Sequence, residues 1–335
     1  MGSIPVAGTT KIVLKQEKIM FKQILQAVEK HETIIIHRHT SPDGDALGSQ
    51  IGLYHIIKDN YPDKRVYKVG DDAKRYAFMD GSTMDEIPDE AYHGALAIVL
   101  DCGASALISD ERYKTAAQTV RFDHHIYCEK IADLEVVDTS YESCCGLVTD
   151  FAVQSGLTLS PQSAKALYTG MVTDSGRFRF DSTTSNTFRL ASELLKQKFD
   201  ITEIYSQLYA DDFFFVQLRA KFILKIKFTE QNVAYIYTTK EELPTYEVDT
   251  FTISRGMVGT MSDLRGVDIW VNFTETEDKV LVEIRSSKYN INPVAVKYGG
   301  GGHAKASGAS VPNYETAMQL LEDLNALNKN SEENV

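Results

Sequence analysis

Three short apolar runs in this chain each end in a cluster of acidic or imidazole side chains, and that recurrence restricts the fold more than any other feature. Residues 33–38 (TIIIHR) lead into His39-Thr40-Ser41-Pro42-Asp43-Gly44-Asp45, residues 96–100 into Asp101-Cys102-Gly103, and residues 119–122 into Asp123-His124-His125. Aliphatic and β-branched runs this short read as buried strands. Between them the spacing changes to that of helices. Phe21, Ile24, Leu25 and Val28 share one helical face, residues 45–60 read as a helix with Ser41 or Asp43 near its cap, and residues 161–172 and 185–199 read as further helices. With strand candidates at 65–69 and 134–137, strands alternate with helices, which predicts an α/β fold with a doubly wound, mostly parallel sheet. Ligands of such sheets sit beyond the carboxyl ends of the strands, so the three clusters should converge there. Asp174, in Thr173-Asp174-Ser175-Gly176 after the helix at 161–172, is a further acid for the same place.

The second half follows a different pattern. Residues 199–230 are helix-prone and aromatic, and Phe213, Phe214 and Phe215 read as core of a packed connector. Strand candidates follow at 233–238, 267–273 and 279–285, with helices at 293–298 and 314–327, which predicts a smaller α+β domain. A length of 335 residues suits two domains. The expected divisions are a loose N-terminal extension at 1–16, a first domain at 17–195, a helical connector at 196–225 and a second domain at 226–330, with a frayed polar tail.

Taken singly, each cluster has an ordinary reading. A strand-end Asp caps a loop, Pro-Asp-Gly-Asp is a good turn, and a lone or paired histidine is often structural. Taken together at predicted strand and helix exits, they describe a pocket. Carboxylates gathered in a partly buried place repel one another and lose hydration, so something must offset them. Two divalent cations would balance Asp43, Asp45, Asp101 and Asp174. Oxygen ligands with two imidazoles favour Mn²⁺ or a similar ion over zinc. A two-metal site makes a nucleophile of water and stabilises in-line phosphoryl displacement.

Gly299-Gly300-Gly301-Gly302-His303 is the second signal and reads as a shaped loop. Consecutive glycines allow backbone N–H groups to approach an anion closely. Residues 281–307 carry Arg285, Lys288, Lys297 and Lys305 against Glu283, a net +3 inside a chain whose 35 basic and 47 acidic residues give −12. So acidic a chain would not hold long nucleic acid through its overall charge, but a local basic patch or metal ions can hold a short anion. Arg177 and Arg179, just after Asp174, are within reach of the same ligand, and Arg255 and Arg265 are weaker candidates. The dinucleotide fingerprint, the P-loop, H-E-x-x-H and G-x-S-x-G are all missing. Four cysteines without a C-x-x-C pair suit a reducing setting, and the apolar runs are far short of the roughly 20 residues of a membrane span, so the expectation is a cytoplasmic protein that does not engage membranes.

The set His39, Asp43, Asp45, Asp101, Asp123-His124-His125, Asp174 and the late GGGGH resembles the DHH phosphoesterase superfamily. It is most similar to the nano-RNase/pAp-phosphatase group with a DHH-associated C-terminal domain, over roughly residues 20–327. The resemblance implies that His39, Asp43 and Asp101 hold one metal. Asp45, Asp101, His124 and Asp174 would hold the other, with Asp101 bridging. His125 would face the scissile phosphate and Asp123 would orient a histidine. His37 competes with His39, but only His39 has the four-residue spacing to Asp43. Arg285, Ser286, Gly300, Gly301, Gly302 and His303 would grip the substrate's terminal phosphate, with Arg177 as a further contact, in an active site between the two domains. The implied activity is Mn²⁺-dependent hydrolysis of short oligoribonucleotides to mononucleotides, of 3′-phosphoadenosine 5′-phosphate (pAp) to AMP, or both. The alternatives are a phosphodiesterase for cyclic dinucleotides or linear pApA, a pyrophosphatase, and a nucleotide-sensing module that does not cleave. A homodimer is the family expectation.

Overall fold

The computed structural model describes residues 7–329, and the chain divides into two units between Ala210 and Asp211. The first contains, in order, α1 (Ala7–Lys30), β1 (Thr33–His37), α2 (Gly44–Asn60), β2 (Arg65–Lys68), β3 (Leu96–Leu100), β4 (Gln118–Asp123), β5 (Leu134–Val137), α3 (Cys144–Gln154), α4 (Pro161–Asp174), α5 (Ser185–Leu195) and α6 (Ile201–Tyr209). Helix α1 starts at Ala7, so residues 7–16, read from sequence as a loose extension, are helical. After Pro5 the sequence offers no proline to stop a helix from running back from the apolar face at Phe21. Residues 1–6 lie outside the described residues, as does the tail from residue 330 onward.

The five strands are all parallel, in the order β2-β1-β3-β4-β5. Both faces are buried, which is why β1 (TIIIH) and β3 (LAIVL) show no polar alternation. Ile34, Ile36, Leu96, Ile98, Leu100, Val120 and Phe122 face a core shared with α1 to α5, where Phe21, Phe122 and Phe151 pack ring on ring. The opposite face is covered by short 3₁₀ turns: Tyr92 and Tyr113 lie over Ile35, Ala97 and Val99. The strand order reverses beside β1. The crevice outside β1 and β3 is therefore the switch point at which open α/β sheets bind ligands.

Helix α2 lies against α4 with little space between them. A Cβ on Gly44 would stand 2.5 Å from Thr173, one on Gly48 2.6 Å from the Ala166 carbonyl, and one on Gly52 2.5 Å from Leu167. Glycine at four-residue spacing keeps one side of α2 bare, so the start of α2 reaches the end of α4.

The second unit contains α7 (Phe213–Ile223), β6 (Lys227–Phe228), β7 (Ala234–Thr238), β8 (Ile269–Glu275), β9 (Val280–Ser286), α8 (Asn292–Lys297), β10 (Gly301–His303), β11 (Ala306–Val311) and α9 (Tyr314–Lys329). Its sheet runs β10-β11-β9-β8-β7-β6 and is antiparallel except for the parallel pair β7–β8. Along β9, Val280, Val282 and Ile284 join the core with Leu320, Leu321 and Leu324 of α9, leaving Leu281, Glu283 and Arg285 on the other face.

Two expectations need correction here. Gly301 to His303 do not form part of a loop; they pair with Gly308 to Ala306 as a hairpin strand. Ladder hydrogen bonds outweigh glycine's poor strand propensity, and Gly300 beside them leaves no room for a Cβ against the Gly308 carbonyl. Phe213, Phe214 and Phe215 are not core, with Phe213 73% exposed. They fill the first turn of α7, whose buried side is carried further along by Leu218 and Phe222 at i and i+4.

Candidate active site

Each strand that supplies the site ends just before the residue it presents. After β1 the chain turns through Ser41, and Asp43 caps α2: its Oδ1 accepts from the backbone N–H groups of Asp45 and Ala46, each at 3.0 Å. The cap directs Asp45 inward from the first turn of α2. There the Asp45 carboxylate meets the start of α3, accepting from the Cys144 N–H at 2.7 Å and the Cys145 N–H at 2.9 Å. A helix N-terminus favours a carboxylate, so α3 fixes Asp45 from a point about a hundred residues further along the chain. After β3, Asp101 takes a left-handed φ of 55°, rare for a residue with a side chain. That turn aims a 3% exposed carboxylate into the crevice. After β4 come Asp123, His124 and His125, and α4 ends on Asp174.

These side chains are neighbours. His39 Nε2 lies 3.8 Å from Asp43 Oδ1 and 3.5 Å from Asp101 Oδ2. His124 Nε2 lies 3.8 Å from Asp45, 3.5 Å from Asp101 Oδ1 and 3.5 Å from Asp174. His125 Nδ1 is 2.7 Å from Asp123 and 3.6 Å from Asp101 Oδ1. Three triads, His39–Asp43–Asp101, Asp45–His124–Asp174 and Asp101–His124–His125, have ligand atoms within 4.8 Å of one another. With Gly103 and Leu107, all of these residues except Asp45 line a cavity of about 280 Å³. Asp101 thus turns one oxygen towards His39 and the other towards His124.

Electrostatics mark this cluster as lacking positive charge. Burial and the Asp101 carboxylate hold the Asp45 carboxyl well above its ordinary range. Burial and Asp45 likewise push Asp174 up to about 8. Burial works against a charged His39, yet Asp101 and Asp43 outweigh it and lift the imidazole to about 10, while His39 in turn pulls Asp43 down against its own burial. The Asp123 hydrogen bond raises His125 to about 9. Without a metal, protons do the work of counter-ions here.

The donor set suits divalent cations. Asp101 Oδ1 is buried and makes no hydrogen bond, so one carboxylate oxygen between the triads has its lone pairs available. His39 Nδ1 donates to the Thr40 carbonyl at 2.8 Å, which leaves the Nε2 lone pair facing Asp43 and Asp101, the usual posture of a metal-binding imidazole. His37 does not compete: it is buried beside Tyr92 and Tyr113, and burial pushes its pKa down to about 4.

Sequence reasoning missed the supports. Two arginines with no exposed side-chain surface hold the loops: Arg38 pairs with Asp71 at 2.9 Å and Gln50 at 3.0 Å, and Arg121 pairs with Asp123 at 2.5 Å. A charged residue between two apolar neighbours in a strand, as Arg121 is between Val120 and Phe122, was the available signal. The anchor at Cys144 and Cys145 and the bare face of α2 were also missed, although glycines at 44, 48 and 52 are visible in the sequence.

Arg177 sits in a left-handed turn after α4, with its guanidinium 4.3 Å over the Tyr209 ring. In the second unit, Arg285 bonds Glu283 at 3.1 Å. Ser286 is buried, its hydroxyl donating to the Asp268 carbonyl and accepting from the Lys288 and Tyr289 N–H groups. His303 and the glycines of β10 are exposed.

Residues 33–171 match the DHH family, N-terminal domain, and residues 233–330 match the DHHA1 domain. The chain is 35% identical to the bifunctional oligoribonuclease and PAP phosphatase NrnA of Bacillus subtilis, across 93% of this chain and 100% of that protein. It is 37% identical to the probable bifunctional oligoribonuclease and PAP phosphatase NrnA of Streptococcus mutans, across 91% and 98%. Among solved structures, an exopolyphosphatase-related protein from Bacteroides fragilis superposes with a TM-score of 0.79 at 27% identity, across 93% of this chain and 98% of that one. The two family matches and these relatives together span nearly the whole chain, and the chain belongs to the DHH family of metal-dependent phosphoesterases, among the members that carry a DHHA1 domain.

Proposed function

We propose that this chain is a phosphoesterase that hydrolyses short oligoribonucleotides to mononucleotides and pAp to AMP, with two divalent cations, Mn²⁺ foremost, held by the six side chains His39, Asp43, Asp45, Asp101, His124 and Asp174. The observation that carries this reading is the position of Asp101, whose two carboxylate oxygens face two separate triads. In this assignment His39, Asp43 and Asp101 hold one cation and Asp45, Asp101, His124 and Asp174 the other. Bound there, the cations would supply an activated water and neutralise charge on the phosphoryl oxygens.

The chain's own groups supply orientation and proton placement. Asp123, fixed by Arg121, accepts from His125 Nδ1 and so turns Nε2 towards the phosphate. The Asp123 hydrogen bond favours the charged form of the His125 imidazole, which would present an N–H to a phosphoryl oxygen. In the second unit Arg285, the backbone of Gly300, Gly301 and Gly302, and His303 would bind a terminal phosphate. Ser286 would contribute through the turn that its hydroxyl organises. Arg177 would be a further anion contact.

The B. subtilis relative's name supports both substrates. Among the described residues no helix is long and apolar enough to cross a membrane. The four cysteines are free thiols, three of them buried, which supports a cytoplasmic setting. A homodimer belongs to the same reading. The test is a product assay across pAp, linear dinucleotides to pentanucleotides, cyclic dinucleotides and pyrophosphate, with bound metal measured in parallel. Mononucleotides and AMP with Mn²⁺ are expected. Cleavage of cyclic dinucleotides or pyrophosphate alone, or tight binding without products, would replace this reading with another.

A further inference from the structure

Beside the proposed phosphate-binding residues, the second unit has an open groove that shares only Gly300 with them. Its volume is about 470 Å³. One wall is the short helical turn carrying Phe251 and Arg255; the other is the free face of β9 and β11, with Leu281 and Glu283 opposite Ser310 and Gly308. The end is formed by Gly299 and Gly300, where the glycine stretch begins.

Three features point to a ligand with a flat aromatic part. Phe251 is 65% exposed, an aromatic ring left in water at the rim of a groove. The Arg255 guanidinium lies 5.8 Å from that ring's centre, so a planar cation already stands beside it, and its side chain is 59% exposed. Arg255 Nε is 3.6 Å from Glu283, whose other oxygen is 3.1 Å from Arg285. One carboxylate thus links the groove to the arginine proposed to bind phosphate. A nucleotide has this composition: a π-face for Phe251, polarisable edges for Arg255, and an anion one residue-pair away along β9.

We propose that this groove is a nucleobase subsite, in which Phe251 stacks a base of the bound substrate and Arg255 clamps it from the side. The proposal rests on the phosphoesterase reading and deepens it. The subsite explains how small nucleotides would be retained by a strongly acidic protein, and it would accept any base, because stacking needs only a π-face.

The experiment pairs kinetics with binding on the full chain. For Phe251→Ala, KM for linear pApA should rise about tenfold, as expected for loss of one base–aromatic stack, while KM for its abasic counterpart should move by less than about twofold, since no base is there to stack. Phe251→Trp should restore the KM for pApA. Its fluorescence, after subtraction of the wild-type signal from the single, buried Trp270, should be quenched by AMP. An unchanged KM for pApA in Phe251→Ala, or an equal rise for both substrates, overturns the subsite. If wild type cleaves neither substrate, the phosphoesterase reading fails instead, and the quench by AMP still decides the subsite: its absence ends the proposal.

Discussion

The two units hold charge in opposite ways. In the first, negative groups are crowded, held in place and, apart from the exposed Asp43, buried: Asp45 by the amides of α3, Asp43 by the amides of α2, Asp101 by a left-handed turn, Asp123 by a buried arginine. In the second, Arg255 and His303 lie at the surface of a glycine-lined sheet edge, and Arg285 is only part-buried. The first arrangement suits chemistry, which needs atoms placed within fractions of an ångström. The second suits recognition of a flexible anion. The contrast teaches that one chain can have a net charge of −12 and still be equipped for anionic substrates, provided that cations fill the first unit and side chains serve the second.

If that division is real, substitutions in the two units should fail differently. The largest effect is expected at Asp101. Asp101→Asn keeps the shape but removes the charge shared by both triads, and a loss of several kcal/mol of charge stabilisation corresponds to about 10³-fold or more in turnover. Near-normal rates on pApA with saturating Mn²⁺ would refute the bridging role. Next is Asp123→Asn, which leaves every proposed ligand in place and releases the His125 ring. Turnover should fall about 10–100-fold with metal content unchanged, the usual range for a supporting carboxylate. Metal loss in that variant would shift Asp123 into the ligand-holding group. In the second unit, Arg285→Gln should act on KM, raising it about tenfold for pApA through loss of a charge-assisted bond to phosphate. A fall in kcat at constant KM would erase the distinction between the units.

The smallest effect is in stability. In the folded, metal-free chain Asp174 keeps its proton up to about 8, against an ordinary 3.8. The folded state therefore binds the extra proton. That stability is whole below about pH 4 and is lost as pH rises through about 8. His39, raised to about 10, has the same sign over a higher window. The chelated protein should thus melt a few degrees lower at pH 8.5 than at pH 5.5. Asp174→Asn should flatten that slope, and Mn²⁺ should raise the melting temperature more at pH 8.5 than at 5.5. A chelated protein equally stable at both values would mean that the carboxylates are not crowded in solution.

Much of the first unit could be read from sequence because its strands are short, aliphatic and buried on both faces, so they end where the polar residues begin. His39 and Asp43 stand one helical repeat apart, and Asp123, His124 and His125 are consecutive, so local spacing carried them. What could not be read was either distant or contextual. The capture of Asp45 by α3 joins residues 99 and 100 positions apart. The hairpin at Gly301 to His303 exists because β11 offers a partner, against glycine's own preference. Phe213 to Phe215 look like core by composition, but a helix buries one side only, and three consecutive residues cannot share it.

If Asp101 bridges two cations as proposed, its bent backbone puts activity and robustness in conflict. A glycine there would adopt the same φ without a Cβ to resist it and would remove one of several mutually repelling charges. Selection for heat resistance alone would therefore drift towards Asp101→Gly, a hardier protein with its chemistry switched off.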